Sequence, residues 1–394
     1  MAPRIISRRL TIPDPIRVER ARRLPELGPK ILFFSGGTAL NDISRCLKNY
    51  SHNTCHLITP FDSGGSSAAL RKAFNMPAIG DLRSRLIALA DETATGHPEI
   101  ARLFSHRLAK DKTHEQLKCT LEKLVSGQGR LLEAVHEPMR GLIRTQLEVF
   151  LKAMPLDFDL RGASIGNLIL AGGYLNNSQN LDPIIFLFSK LINTLGVVTA
   201  ITDSNCHLAA MLEDGTQIIG QHRMTGKEVP ALQSRITETF AVRSLDDDTP
   251  VPINIAHKMS LFIHDADLIC YPPGSFHSSL MANLLPSGVG RAITQNPNPK
   301  VYIPNLGNDP EQFGMTPTQS VMALLERLNR DLDQPCETSN LLNYIITDAG
   351  NAGDFDKGFL KEHSIELISS DLLGRRCLPY YDPKKLVELL LSLT

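Results

Sequence analysis

The chain has 394 residues, of which 42% are hydrophobic and 21% charged, and its formal net charge is -1. That length accommodates two average domains or one large α/β domain with insertions. A balanced charge provides no field to gather nucleic acid or an anionic membrane, so neither is an expected partner, whereas a small phosphate-bearing ligand remains open.

Residues 1–28 read as an N-terminal basic arm, in which Arg4, Arg8, Arg9, Arg17, Arg20, Arg22 and Arg23 are interleaved with Asp14, Glu19 and Glu26. The arm lacks the apolar core of a signal peptide, so it is expected to pack on the surface or on a partner subunit. The first predicted strand, Lys30–Phe34, runs into "SGGT" (Ser35–Thr38); the second, His56–Thr59, runs into "FDSGGSSAALR". Small, hydrogen-bonding residues at the carboxyl end of a buried strand suit an anion site: glycine lets the backbone approach a phosphate, and the next helix points amide donors outward. Gly36, Gly37 and Thr38 are therefore candidate phosphate-binding residues, as are Gly64, Gly65, Ser66 and Ser67, with Arg71 one turn further on. Asp62 is the carboxylate beside these glycines, a candidate catalytic base or ligand for Mg2+. Its plainer reading is a helix cap. "IGDLRSRLIALADE" follows; Asp81, Arg83 and Arg85 there read either as a cap with solvated arginines or as guanidinium forks for a diphosphate.

From about 97 to 158 the pattern is helical with no convincing strand: Leu117, Leu121, Leu124, Leu132, Val135, Ile143, Leu147 and Phe150 recur at helical spacing, broken at Gly127, Gly129 and Pro138. This predicts an inserted helical subdomain. "RGASIGNLILAGG" then puts Ser164 and Asn167 at another helix start, where an asparagine side chain can read a base or sugar edge. Further strands are predicted at Val197–Ile201, Leu268–Tyr271, Lys300–Ile303 and Tyr344–Thr347, alternating with helical patterns as in a mainly parallel α/β sheet. Runs at Cys206–Leu212 and Gln217–Gly220 flank Asp214-Gly215 and predict a hairpin, which makes the expected sheet mixed. "YPPGSFHSSL" repeats the strand-then-glycine-then-serine order and adds Gly274 and Ser275 as donors. Asp182, Thr316 and Asp382 each precede a proline and mark helix starts.

Other patterns point away from specific chemistry. The seven cysteines are odd in number and show no C-x-x-C spacing, so they read as reduced thiols of a cytoplasmic protein. There is no G-x-G-x-x-G fingerprint, and no flavin or nicotinamide cofactor is expected. G-x-S-x-G and H-E-x-x-H are absent too, which leaves serine-hydrolase and zinc-protease readings without support.

Taken together, "SGGTALNDISRCLK", "FDSGGSSAALR", "IGDLRSRLIALAD", "SIGNLILAG", "DADLICYPPGSFHSSLMANLL", "KVYIPNL" and "DLLGRRCLPYYDPKKLVELL" resemble the CofD-like family in order, from about residue 30 to 393. That family includes 2-phospho-L-lactate transferase and the YvcK gluconeogenesis-factor relatives, and the YvcK branch is the nearer likeness. The resemblance implies a Rossmann-like three-layer α/β fold over residues 29–394 and a nucleotide diphosphate held by the loops named above. Asn167, Gly274 and Ser275 fall on its nucleotide side, while Arg71 and Arg83 are the candidates to neutralise the diphosphate. It also implies a homodimer. The transferase branch implies Mg2+ and transfer of a phosphorus-containing group to an alcohol; the YvcK branch implies a nucleotide-sugar ligand without established turnover. Three departures bear on the choice. Ala39 stands where the family pattern G-G-T-G ends in glycine, Ser63 stands where an Asp pair is usual, and the segment 97–158 is longer than in the YvcK branch.

Overall fold

A computed structural model describes residues 11–93, 96–226, 230–375 and 377–394; Arg4, Arg8 and Arg9 of the basic arm lie outside these residues. The strands are β1 (Ile31–Ser35), β2 (Cys55–Ile58), β3 (Val197–Ala200), β4 (His207–Leu212), β5 (Gln217–Ile219), β6 (Ile236–Val242), β7 (Leu268–Tyr271), β8 (Lys300–Tyr302), β9 (Tyr344–Asp348) and β10 (Glu366–Ser370). Seven of them form one sheet in the order β10-β9-β8-β7-β1-β2-β3, with every pairing parallel. The predicted hairpin, β4 and β5, does not join that sheet. It pairs with β6 in a separate antiparallel sheet of order β5-β4-β6.

Alternation along β1 divides the interior. Ile31 and Phe33 join Leu40, Ile43 and Leu47 on one face. Leu32 and Phe34 join Ile269, Tyr271, Phe276 and Leu280 on the other. A strand buried on both faces reads as an unbroken apolar run, and "ILFF" is one. Helices cover both faces, giving the three layers of a Rossmann-like α/β fold.

The first helices in chain order are α1 (Pro15–Arg23), α2 (Asn41–Leu47), α3 (Gly65–Phe74) and α4 (Gly80–Ala88). Helix α1, in the basic arm, is capped by Asp14, whose backbone amide donates to the Ser392 hydroxyl at 2.7 Å. Next come α5 (Pro98–Ser105), α6 (His114–Ser126), α7 (Arg130–Glu133), α8 (Met139–Ala153), α9 (Ile165–Asn176) and α10 (Leu181–Leu191). Leu117, Leu121, Leu132, Ile143 and Phe150 bury their side chains in the same core as Leu168 and Ile169 of α9 and Ile58, Val198 and Ala200 of the sheet. Asn180, rather than Asp182, caps α10; Pro183 is tolerated inside the first turn because its missing amide has no partner within the helix.

The remaining elements are α11 (His257–His264), a π-helical turn (Phe276–Met281), α12 (Val289–Gln295), α13 (Pro317–Asn329), α14 (Lys357–Glu362) and α15 (Pro383–Ser392). Thr316 and Asp382 cap α13 and α15 as predicted. Among the described residues no helix is long and apolar enough to cross a membrane.

The strand order fixes where a crevice opens. From β1 the chain moves outward to β2 and β3, and from β7 it moves the opposite way to β8, β9 and β10. Helix α2, after β1, packs on one face, and the π-helical turn, after β7, packs on the other. The two connections diverge between β1 and β7, which makes this the topological switch point of the sheet.

Candidate functional site

The loops after β1, β2 and β7 meet at the switch point. A Cβ added to Gly36 would sit 2.6 Å from Ser279 Oγ and 3.4 Å from Asp81 Oδ2, so only glycine lets this backbone pass between the π-helical turn and α4. Gly37 and Gly65 have φ of +20° and +47°, left-handed geometry that glycine adopts without strain. Nothing lies within 4 Å of a Cβ built on either, so open space adjoins both. Thr38 is exposed beside them.

Two carboxylates reach these loops. Asp62 Oδ1 accepts the Gly64 amide at 3.0 Å, just ahead of α3, whose N-cap Gly64 supplies no side-chain cap of its own. Asp81 Oδ2 accepts the Gly37 amide at 2.7 Å. The Asp62 carboxylate and the buried Ser67 hydroxyl both lie beside Gly80, 3.5 Å and 2.7 Å from where its Cβ would be. Each glycine loop thus holds one acidic side chain, and the two flank the start of α4. No group of three or more His, Cys, Asp or Glu among the described residues is placed to hold a metal ion.

A second line of polar contacts closes the side toward α9. Arg83 Nε donates to Asn167 Oδ1 at 2.8 Å, and Asn167 Nδ2 donates to Ser66 Oγ at 3.1 Å. Burial lowers Arg83 to about 10, and Arg107 pushes the same way. Ser66, Asn167 and Arg83, far apart in sequence, are therefore one chain of donors and acceptors at the start of α3.

The other two arginines face inward. Arg71 donates to the carbonyls of Phe61, Asp62 and Cys206 and to Asn205 Oδ1, bracing the Asp62 loop against β4. Arg85 is fully buried. Its guanidinium donates to Ser44 Oγ at 2.7 Å and to the Gly36 and Gly37 carbonyls at 3.3 Å each. The solvated-arginine reading fails for Arg85, because β1's loop closes over it. Ser63 is also committed: its hydroxyl pairs with His222 Nδ1 at 2.8 Å and accepts the His222 amide at 3.2 Å.

The third loop spends its donors within the chain. The Gly274 amide goes to Asn305 Oδ1, the Phe276 amide to Asp309 Oδ2, and the amides of His277 and Ser278 to Glu311 Oε2. Burial, with Asp309 nearby, raises the Glu311 carboxyl above its ordinary range. Gly274 and Ser275 therefore wall the crevice opposite Ala39: a Cβ on Gly274 would stand 3.7 Å from the Ala39 methyl. Of the two readings weighed for Asp81 and Arg85, neither fits Arg85: it is not solvated, and its guanidinium is spent on Ser44 and the first glycine loop rather than turned to the crevice. "IGDLRSR" contained the signal, but only the fold shows that its carboxylate meets Gly37 and its second guanidinium the loop behind.

The profile of the family described as 2-phospho-L-lactate transferase CofD matches residues 31–372. The gluconeogenesis factor of Bacillus subtilis is 27% identical over 376 residues, covering 93% of this chain and 98% of that protein. A putative gluconeogenesis factor of Thermoanaerobacterium thermosulfurigenes is 26% identical, covering 93% and 97%. A crystal structure of a UPF0052-family protein from Bacillus halodurans has the same fold, with a TM-score of 0.68 at 23% identity over 93% of this chain and 99% of that one. The chain belongs to the CofD family.

Proposed function

We propose that this CofD-family protein binds a nucleotide diphosphate, free or linked to a metabolite, across the loops at Gly36–Thr38 and Gly64–Ser67. The observation that carries this reading is the switch point between β1 and β7: open parallel sheets bind ligands outside the carboxyl ends of the strands where connections diverge. The open space beside Gly37 and Gly65, where no atom lies within 4 Å of a built Cβ, leaves room for a diphosphate against the loops. Asn167, held by Arg83, orients Ser66 toward the same ligand. All seven cysteines are free thiols, in keeping with a cytoplasmic protein.

The finer reading is a transferase in which an alcohol oxygen attacks the metabolite-side phosphorus, the diphosphate P–O bond breaks, and the nucleoside monophosphate leaves with the bridging oxygen. Asp62 accepts the alcohol's proton or holds Mg2+. The donor set fits an ion that arrives with its diphosphate, since Mg2+ binds through one or two carboxylates plus phosphate oxygens and water. Such an ion supplies charge neutralisation on the phosphoryl oxygens. A second reading, a nucleotide-sugar sensor without turnover, is favoured by Ser63. Its hydroxyl is bound to His222 at the position where a second carboxylate would serve a metal, and the relatives named above are called gluconeogenesis factors.

Melting curves with GDP, UDP, GTP and UDP-sugars, each with and without Mg2+, test both readings on the wild type and Asp62→Asn. A ligand at one hundred times its Kd adds about 2.7 kcal/mol. Stabilisation that needs Mg2+ and disappears in Asp62→Asn supports the transferase; equal stabilisation without metal supports the sensor. If no nucleotide shifts the melt, nucleotide binding is wrong.

A further inference from the structure

Behind the π-helical turn, away from the glycine loops, lies a cavity of about 250 Å³ between β6 and α13. Its lining includes Arg235, His277, Met281, Met315, Met322 and Arg327 and none of the strand-end glycines. The π-helical turn separates the two regions. Ser279 touches Gly36 on one side, and His277 and Met281, four residues apart, face the cavity on the other.

Two polar groups in this lining are anomalous. His277 is 4% exposed, yet neither of its ring nitrogens has a hydrogen-bond partner. Arg235 Nε is likewise buried without a partner. A buried polar atom without a partner is costly, and native proteins rarely keep one without a reason. Elsewhere in the lining the charges are spoken for. Glu238 and Glu326 both pair with Arg330 at 2.7 Å, and Arg327 donates to the carbonyls of Leu284 and Leu285. That leaves the Arg235 guanidinium as the charge to be matched, in a lining it shares with the His277 imidazole, which feels its charge, and with three thioether side chains.

We propose that this cavity is a second ligand site, which binds a small organic anion with its carboxylate or phosphate on Arg235 and His277 and its apolar body against Met281, Met315 and Met322. The imidazole stays neutral there, since burial and the adjacent Arg235 lower it to about 3; it offers one N–H and one acceptor rather than a second charge. Methionine suits such a wall because its flexible, polarisable side chain adapts to ligands of different shape. The site does not depend on the nucleotide reading, because no residue of the Gly36–Thr38 and Gly64–Ser67 loops lines it.

The chain contains 10 methionines and no tryptophan, so methyl-13C methionine NMR is the direct readout. Resonances of the three cavity methionines are assigned by single Met→Leu substitutions. The probes are hexanoate, phenyl phosphate and 1-hexanol as the uncharged control, each to about 10 mM, a range that captures millimolar affinity. Hexanoate or phenyl phosphate is expected to shift the Met281, Met315 and Met322 methyls saturably, and the stronger of the two identifies the anion as carboxylate or phosphate. Arg235→Gln should weaken that response about tenfold. Ala323 also lines the cavity, and Ala323→Leu, which narrows it and leaves every charge in place, should weaken the response as well. Methyl dispersion in each variant checks that it is folded. The proposal is overturned if neither anion shifts these methyls, if 1-hexanol does so equally well, or if the response is undiminished in both variants.

Discussion

Replacing Arg85 by methionine tests whether a guanidinium beneath the first glycine loop sets that loop's shape. The side chain is fully buried and serves Ser44 Oγ and the carbonyls of Gly36 and Gly37. Methionine preserves most of the volume but removes every donor, and each buried acceptor left unpaired costs about 1–3 kcal/mol. Part of that is returned. Burial lowers Arg85 to about 9, so the charged form is itself held at a cost that an apolar side chain avoids. We expect a net loss of about 3 kcal/mol. Unfolding entropy of about 2.1 cal/mol/K per residue, taken over 394 residues, makes this a fall of about 4 °C in Tm. The loop effect is the more specific one. With its carbonyls released, the Gly36–Gly37 backbone no longer presents one geometry, and the Kd for the stabilising nucleotide should rise about tenfold. Arg85→Lys keeps the charge but loses the planar fork, so it should fall between the two. Differential scanning calorimetry and titration calorimetry on the same preparations give both numbers. If Arg85→Met melts within about 1 °C of the wild type and binds nucleotide equally well, Arg85 is a filler and the argument for its role fails.

Gly36→Ala places a methyl 2.6 Å from Ser279 Oγ, an overpacking expected to cost about 1–3 kcal/mol and to weaken nucleotide binding, both read from melts with and without ligand. Asn167→Ala separates Ser66 from Arg83 and should reduce nucleotide affinity about tenfold with a smaller change in Tm, a split seen by titration calorimetry. The buried histidines predict acid sensitivity. Burial lowers His56 well below 6.5 and lowers His277 to about 3, so below pH 6.5 the unfolded chain binds protons that the folded chain refuses. Stability should therefore fall as pH drops from about 6.5, by up to about 1.4 kcal/mol per unit for each histidine. His56→Phe, which keeps a ring stacked on Phe33, should flatten that slope in urea unfolding at pH 7.5 and 5.5; an unchanged slope removes His56 from the explanation.

Much of the fold was legible because its signals are local. An apolar run such as "ILFF" has only one way to be buried on both faces of a sheet, and Thr316 and Asp382 carry their capping oxygens beside the amides they cap. Strands β6 and β10 escaped prediction for a physical reason. Their faces are partly exposed, "ITETFAV" and "ELISS" mix polar with apolar residues, and β10 lies at the sheet edge, so neither forms a long apolar run. The hairpin around Asp214-Gly215 was visible in the chain, but which sheet it joined was not, because pairing depends on β6, some twenty residues later.

The site divides the same way. Glycine after a strand announces a close backbone approach, and the order of residues along the chain placed Gly36 and Gly37 at the end of β1 and Gly64 and Gly65 between β2 and α3. Whether a neighbouring side chain faces the ligand or the interior depends on what packs against it from elsewhere. Arg83 and Arg85 are two residues apart on one helix, yet one reaches Asn167 on α9 and the other carbonyls beneath the β1 loop. The amides of the third loop look like phosphate donors in sequence, and Asp309 and Glu311, more than thirty residues away, take them. Local sequence determined the backbone's conformational options and the strand-end glycines; only tertiary packing decided which polar groups are consumed inside the fold, because hydrogen bonds between distant segments are specified by the packing that brings them within 3 Å or so.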